Sequence, residues 1–295
     1  MAMPLQIKYL IYLLVIGLVL KTTQLLFPQQ QLTIQIMLLF IGLLFTGIPH
    51  GALDHYIAKK SAHNNDIFFN LIFFIIRYIF LMLLYGILWW ALPGFSLCLF
   101  IFLTAFHFGE TDLHFFQKKS IFKSFLYGLS LTAWLLLPHQ TELIRWLQLI
   151  IPKTDTIFIL TTILFKIPPI FFLLICSILS FPHRNKRTAW LLIILMLVLV
   201  NQLGLIGGFA FYFSGWHGRQ AFIDIKNYLQ SEDNISQLWR KAVPFTVLAL
   251  FFLLLIYFVT PSSVWQMYGA PAFIVMISLL TLPHIQVMHS IYSDK

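Results

Sequence analysis

Long apolar stretches separated by short polar or Gly/Pro clusters run along the whole chain. A bilayer core about 30 Å thick takes about 20 helical residues per crossing. The pattern therefore predicts helices near 7–27, 32–50, 67–91, 94–109, 122–137, 169–182, 188–203, 205–219, 242–259 and 268–290. Within 188–219, Asn201-Gln202-Leu203-Gly204 and Gly207-Gly208 interrupt an apolar run and mark either a hairpin or a kink. A hairpin makes ten spans. The expected fold is all-α: a polytopic transmembrane helix bundle of about 8–10 spans, best read as ten, forming one integral-membrane domain over residues 1–295. The connection 138–168 contains Thr141-Glu142-Leu143-Ile144-Arg145-Trp146-Leu147, which reads as an amphipathic segment lying on a membrane surface.

Composition removes the soluble alternative. Hydrophobic residues make up 60% of the 295 positions and charged residues only 10%, where a water-soluble domain carries roughly a quarter charged. The basic, apolar start from Lys8 to Phe27 lacks a small-residue cleavage motif and reads as a first span. Cys98 and Cys176 lie inside apolar runs without metal-type spacing. Ten spans put both termini on one side, together with Lys8, Lys59, Lys60, Arg77, Lys118, Lys119, Lys123, Arg184, Lys186, Arg187, Arg219, Lys226, Arg240, Lys241 and Lys295. Only Lys21, Arg145, Lys153 and Lys166 fall on the other. The positive-inside rule then places both termini in the cytoplasm and the chain in the cell's inner membrane. The net charge of +9 follows from this topology and from contact with anionic membrane lipid; scattered short-loop cations form no nucleic-acid stripe.

Seven of the ten histidines divide into two groups. His63, His139 and His183 sit in polar or Pro-flanked connections, where an interfacial imidazole carries no intramembrane cost. His50, His107, His217 and His284 instead close the second, fourth, eighth and tenth expected helices. All four thus share one depth near the cytoplasmic ends. Helix ends are also where polar residues are cheapest, so depth alone does not make a site. Their neighbours add weight. A metal-bound imidazole usually places its second nitrogen on a carboxylate or carbonyl, and Asp54 stands at i+4 from His50 and Glu110 at i+3 from His107. His55 and His289, at i+5 from His50 and His284, point elsewhere on a regular helix and rank as alternative ligands.

Neutral imidazoles suit iron, copper, zinc or nickel, whereas magnesium and calcium want oxygen ligands. The few carboxylates near this layer are thin for a carboxylate-bridged di-iron centre, which favours a mononuclear histidine-rich site. Haem stays open on spacing alone, although its covalent attachment motif is absent. The chain also has 31 Phe, 11 Tyr and 8 Trp, most of them explained by lipid-facing packing. Phe106, Phe108, Phe211, Tyr212, Phe213 and Trp216 follow the histidines inward and are candidates to line a tunnel for a long apolar molecule.

Four motifs occur in order: Gly47-Ile48-Pro49-His50-Gly51-Ala52-Leu53-Asp54-His55, Phe106-His107-Phe108-Gly109-Glu110-Thr111-Asp112, the aromatic stretch ending Trp216-His217, and Pro283-His284. Together they resemble the Brp/Blh family of membrane-bound β-carotene 15,15'-dioxygenases over about residues 40 to 290. The resemblance implies a non-haem ferrous iron (Fe2+) held by histidines. It also implies β-carotene and dioxygen as co-substrates, and retinal as a product passed to a microbial rhodopsin. His50, His107 and His217 match the family's first three ligand histidines. Many members continue His-Ser-x-Arg-His, but this chain reads His217-Gly218-Arg219-Gln220-Ala221. Either His284 completes the site, or three histidines suffice, or the chain is a diverged paralogue with altered or no cleavage activity. The other readings are a non-catalytic carotenoid or retinal carrier, a membrane oxygenase or desaturase acting on another lipid, and a metal or proton transporter.

Overall fold

The structure is a computed structural model describing residues 4–116, 120–151, 153 and 155–293; Lys118, Lys119 and Lys295 of the cationic loop set lie outside the described residues. Every regular element among the described residues is helical: α1 (Leu5–Leu26), α2 (Gln31–Gly42), α3 (Ile48–Gly51), α4 (Asp54–Asn64), α5 (Leu71–Ala91), α6 (Pro93–Phe116), α7 (Ile121–Leu136), α8 (Gln140–Ile150), α9 (Thr156–Leu164), α10 (Pro169–Leu179), α11 (Arg187–Val200), α12 (Leu205–Tyr212), α13 (Gly218–Leu229), α14 (Ile235–Val259) and α15 (Ser262–Ser293). Eight helical runs among the described residues are long and apolar enough to cross a membrane. Two of the ten expected spans fall short. α10 has only 11 residues, and the run beginning at Leu205 passes into α13, whose Arg219, Asp224 and Lys226 dilute its apolar character.

The interrupted stretch 188–219 is a hairpin. Gly204 sits at φ +82°, a backbone conformation that L side chains rarely adopt, and reverses the chain between α11 and α12. The neighbours of α1 show the reversal. Leu199 meets α1 at Gly17 and Gln202 meets it at Lys21, so α11 runs parallel to α1. Phe211 also meets Gly17 while the Gly215 carbonyl accepts from the Tyr9 hydroxyl, so α12 runs the opposite way. Gln35 of α2 bonds the Gly207 amide at 3.2 Å and closes the turn.

Two helices carry a wider π-turn at the centre of the molecule: Leu43–Gly47 between α2 and α3, and Phe213–His217 between α12 and α13. They cross with small residues at the contact. A Cβ on Gly42 would meet Ser214 at 2.7 Å, and one on Gly47 would meet Phe213 at 2.8 Å. α6 and α7 approach more closely still, because Cβ atoms on Gly109 and Gly128 would each fall 1.7 Å from a facing carbonyl oxygen, those of Ser124 and Ala105. Small residues at such crossings let membrane helices pack backbone to backbone.

Buried apolar residues fall into three clusters: one among α1, α6, α7, α10, α11 and α12, one among α4, α13, α14 and α15, and one among α5, α6, α8 and α9. On the outside, α5 and α14 show Phe80, Trp90, Phe251 and Phe258 outward, as helices facing lipid do.

Candidate metal centre

Four helical segments deliver the histidines to one place. His50 comes from α3, His107 from α6, His217 from the second π-turn and His284 from α15; they are 3%, 4%, 0% and 8% exposed. Ring centroids lie 4.9 Å apart for His50 and His284, 5.1 Å for His284 and His107, 4.9 Å for His107 and His217, and 6.0 Å for His217 and His50. One ring nitrogen from each of His50, His107 and His217 lies within 4.8 Å of the other two, close enough for one ion. His284 stands beside this trio, in ring contact with two of its members.

Local backbone irregularity aims these side chains. Pro49 has no N–H, so the Phe45 carbonyl one turn back takes the indole N–H of Trp239 instead, at 3.0 Å. The Thr46 carbonyl, in the first π-turn, lies 2.8 Å from His50 Nδ1. A carbonyl only accepts, so Nδ1 carries the proton and Nε2 presents its lone pair. Pro283 lies inside the continuous α15 just before His284 and removes one backbone donor there. His284 Nδ1 donates to the Asp54 carboxylate at 2.9 and 3.0 Å, leaving Nε2 buried without a hydrogen-bond partner. His217 and His107 face each other through Nε2 atoms 3.2 Å apart, and His217 Nδ1 lies 3.5 Å from Asp112 Oδ1.

The carboxylates pair differently from the local-spacing expectation. Asp54 does not pair with His50, because α3 ends at Gly51 and Asp54 opens a new helix. It bonds His284, 230 positions away, and receives the Tyr78 hydroxyl at 3.0 Å. Glu110 lies on a helix continuous with His107 yet accepts from His289 Nδ1 on α15 at 3.0 Å. His289 is thus a carboxylate partner in the structure. His55 turns out of the cluster, with Nδ1 on the Ala52 carbonyl and its ring against Tyr56 and Phe245. Asp112, Thr46 and Tyr78 were absent from the expected site. Asp112 is one of the few carboxylates that the sequence places near the histidine layer; the other two carry no sequence signal.

The six aromatic candidates separate. Phe108 and Phe213 lie against the His217 ring at 4.5 and 5.7 Å, and Phe213 also meets His50. Tyr212 donates to Asp112 Oδ2 and lies 6.4 Å from His217. Trp216 is fully buried against Phe115, Phe211 fills the space beside Gly17, and Phe106 packs on His289. Phe108, Phe211, Tyr212 and Trp216 are buried core, while Phe106 and Phe213 are half-buried; a cavity opens elsewhere, beside Phe73 and Phe74.

The donor set fits a soft or borderline divalent ion. Imidazole nitrogens converge without bringing charge. Two buried carboxyl groups stand behind the imidazoles, Asp54 bonded by His284 and Tyr78 and Asp112 by Tyr212.

An all-helical bundle with membrane-type spans, organised around a buried imidazole cluster able to take a metal ion, is the class that fold and site define. A family model described as beta-carotene 15,15'-dioxygenase matches residues 41–292, and the chain belongs to that family. A stretch of 102 residues is 29% identical to a beta-carotene 15,15'-dioxygenase from the uncultured marine bacterium 66A03, covering 34% of this chain and 37% of that protein. No solved structure matches the chain.

Proposed function

We propose that the protein cleaves β-carotene, or a related carotenoid, with dioxygen at the central double bond to give two molecules of retinal. Membership of the family supports the reaction class. The observation that carries it to this chain is the convergence of His50, His107, His217 and His284, two of them with Nδ1 hydrogen-bonded to an oxygen acceptor and their Nε2 lone pairs free. These histidines would hold a ferrous ion, which supplies the redox chemistry of dioxygen-dependent bond cleavage. His284 takes the role left vacant by Ala221, which lies fully buried in the apolar cluster of α4, α13, α14 and α15.

The chain's own residues then have three tasks. Thr46, Asp54 and Asp112 hold the imidazoles in one tautomer and orientation. Phe108 and Phe213 cover the His217 ring and keep water out. The surrounding apolar bundle gives an insoluble polyene access from lipid. The site stands near the cytoplasmic side of an inner membrane with both termini cytoplasmic, and a microbial rhodopsin is the natural acceptor of the product. The second reading, a carotenoid or retinal carrier without cleavage, is motivated by Ala221. Expression in β-carotene-producing cells separates the two: cleavage bleaches the cells as retinal appears, while a carrier co-purifies unchanged pigment. A lipid oxygenase would leave the colour intact and modify acyl chains.

A further inference from the structure

A cavity of about 330 Å³ opens between α4, α5 and the end of α15. Phe69, Phe73, Phe74 and Leu81 form its apolar wall, and Tyr78 and Pro283 reach it from the side of the histidine cluster. Phe69, Phe74 and Tyr78 make a file of rings with centroids 6.0 and 5.7 Å apart. The Tyr78 hydroxyl donates to Asp54, and Asp54 receives His284 Nδ1, so one carboxylate separates the cavity lining from the cluster. At the mouth Arg77, the one charged residue of α5, donates from Nη2 to Gln286 Oε1 at 3.3 Å, and both side chains are exposed.

We propose that this cavity binds a retinoid-sized amphipathic polyene, the twenty-carbon aldehyde released by the reaction. The proposal rests on the cleavage reading above. Three features select this occupant. The volume lies at the small end of the roughly 300–1,000 Å³ typical of small-molecule sites, which suits half of a forty-carbon polyene and not the whole. The file of aromatic faces suits a conjugated chain. The Arg77–Gln286 pair offers N–H donors at the open end, where a carbonyl oxygen can accept while the hydrocarbon lies inward. A phospholipid whose headgroup meets Arg77 is the competing occupant.

The test uses iron-loaded, full-length protein in phosphatidylcholine nanodiscs, with all-trans-retinal as the probe and equilibrium binding as the readout. Wild type is expected to bind retinal saturably. Leu81→Trp, which fills the cavity, and Ser290→Phe, which narrows it from α15, should each weaken binding by at least about tenfold with iron content retained. Arg77→Gln should weaken retinal binding while leaving unchanged the binding of the hydrocarbon analogue that lacks the aldehyde. Unchanged retinal affinity in the cavity-filling variants overturns the proposal. So does displacement of retinal by phosphatidylglycerol, which would make this a lipid-headgroup site. If iron-loaded wild type fails to bleach β-carotene, the cleavage reading itself fails. If it bleaches while both filled variants bind retinal like wild type, only the cavity assignment fails.

Discussion

The α6–α7 pair and α5 are both apolar helical segments, yet they face opposite environments. α6 carries Gly109-Glu110-Thr111-Asp112 in its buried half, and all four are out of solvent because α7, α12 and α15 surround them. In α5 only Tyr85 and Trp89 are buried, and its large apolar side chains point outward. Hydropathy alone ranks α5 as the better membrane helix. The less hydrophobic helix carries the candidate ligand and its polar neighbours, which partner helices rather than lipid satisfy.

The largest effect expected from disturbing the inner region is on metal binding. His107→Ala and His217→Ala should each abolish iron retention and carotenoid cleavage, read by metal analysis and by pigment loss. Next comes the helix contact that encloses the site. Gly109→Ala and Gly128→Ala force a methyl carbon into a backbone carbonyl and should cost about 3 kcal/mol or more, whereas Phe80→Ala on α5 should stay within about 0.5 kcal/mol. Thermal unfolding in detergent compares the three directly. Asp54→Asn keeps the shape but removes the charge facing His284, and should lower iron affinity by about 10- to 100-fold without loss of fold. The smallest effect lies outside the membrane. Lys241, together with Ser231, hydrogen-bonds the Asp233 carboxylate and holds its pKa below the ordinary value. Because the folded pKa is the lower one, the stabilisation is present at neutral pH and is lost as pH falls through it. Amide exchange at the start of α14 should therefore quicken only in acid, and in Asp233→Asn it should be fast at every pH.

Much of this was legible in the sequence, for physical reasons that also mark where it stopped. The sequence marks an interruption between Asn201 and Gly204 but leaves hairpin and kink both open, because glycine serves either; the φ of +82° at Gly204 makes it a reversal. The four histidines could be grouped because each sits where hydropathy falls. For His107 that fall misled: the helix was expected to end near 109, but it continues to Phe116. A window average cannot distinguish water from a partner helix. The Asp54–His284 and Glu110–His289 pairs were hidden because each joins segments remote in sequence, and i+3 or i+4 spacing favours a local partner. Thr46 was hidden for another reason, since its carbonyl takes part through a π-turn that no composition rule announces.

The proposed function requires the histidine cluster to hold iron and the protein to cleave a carotenoid. Retinal formed against β-carotene lost, measured in carotenoid-producing cells expressing wild type or His217→Ala, tests it most directly. Bleaching with two retinals per carotene in wild type, and full colour with no retinal in the variant, is the result expected. Iron-loaded wild type that leaves β-carotene intact, or a variant that bleaches equally well, would contradict it.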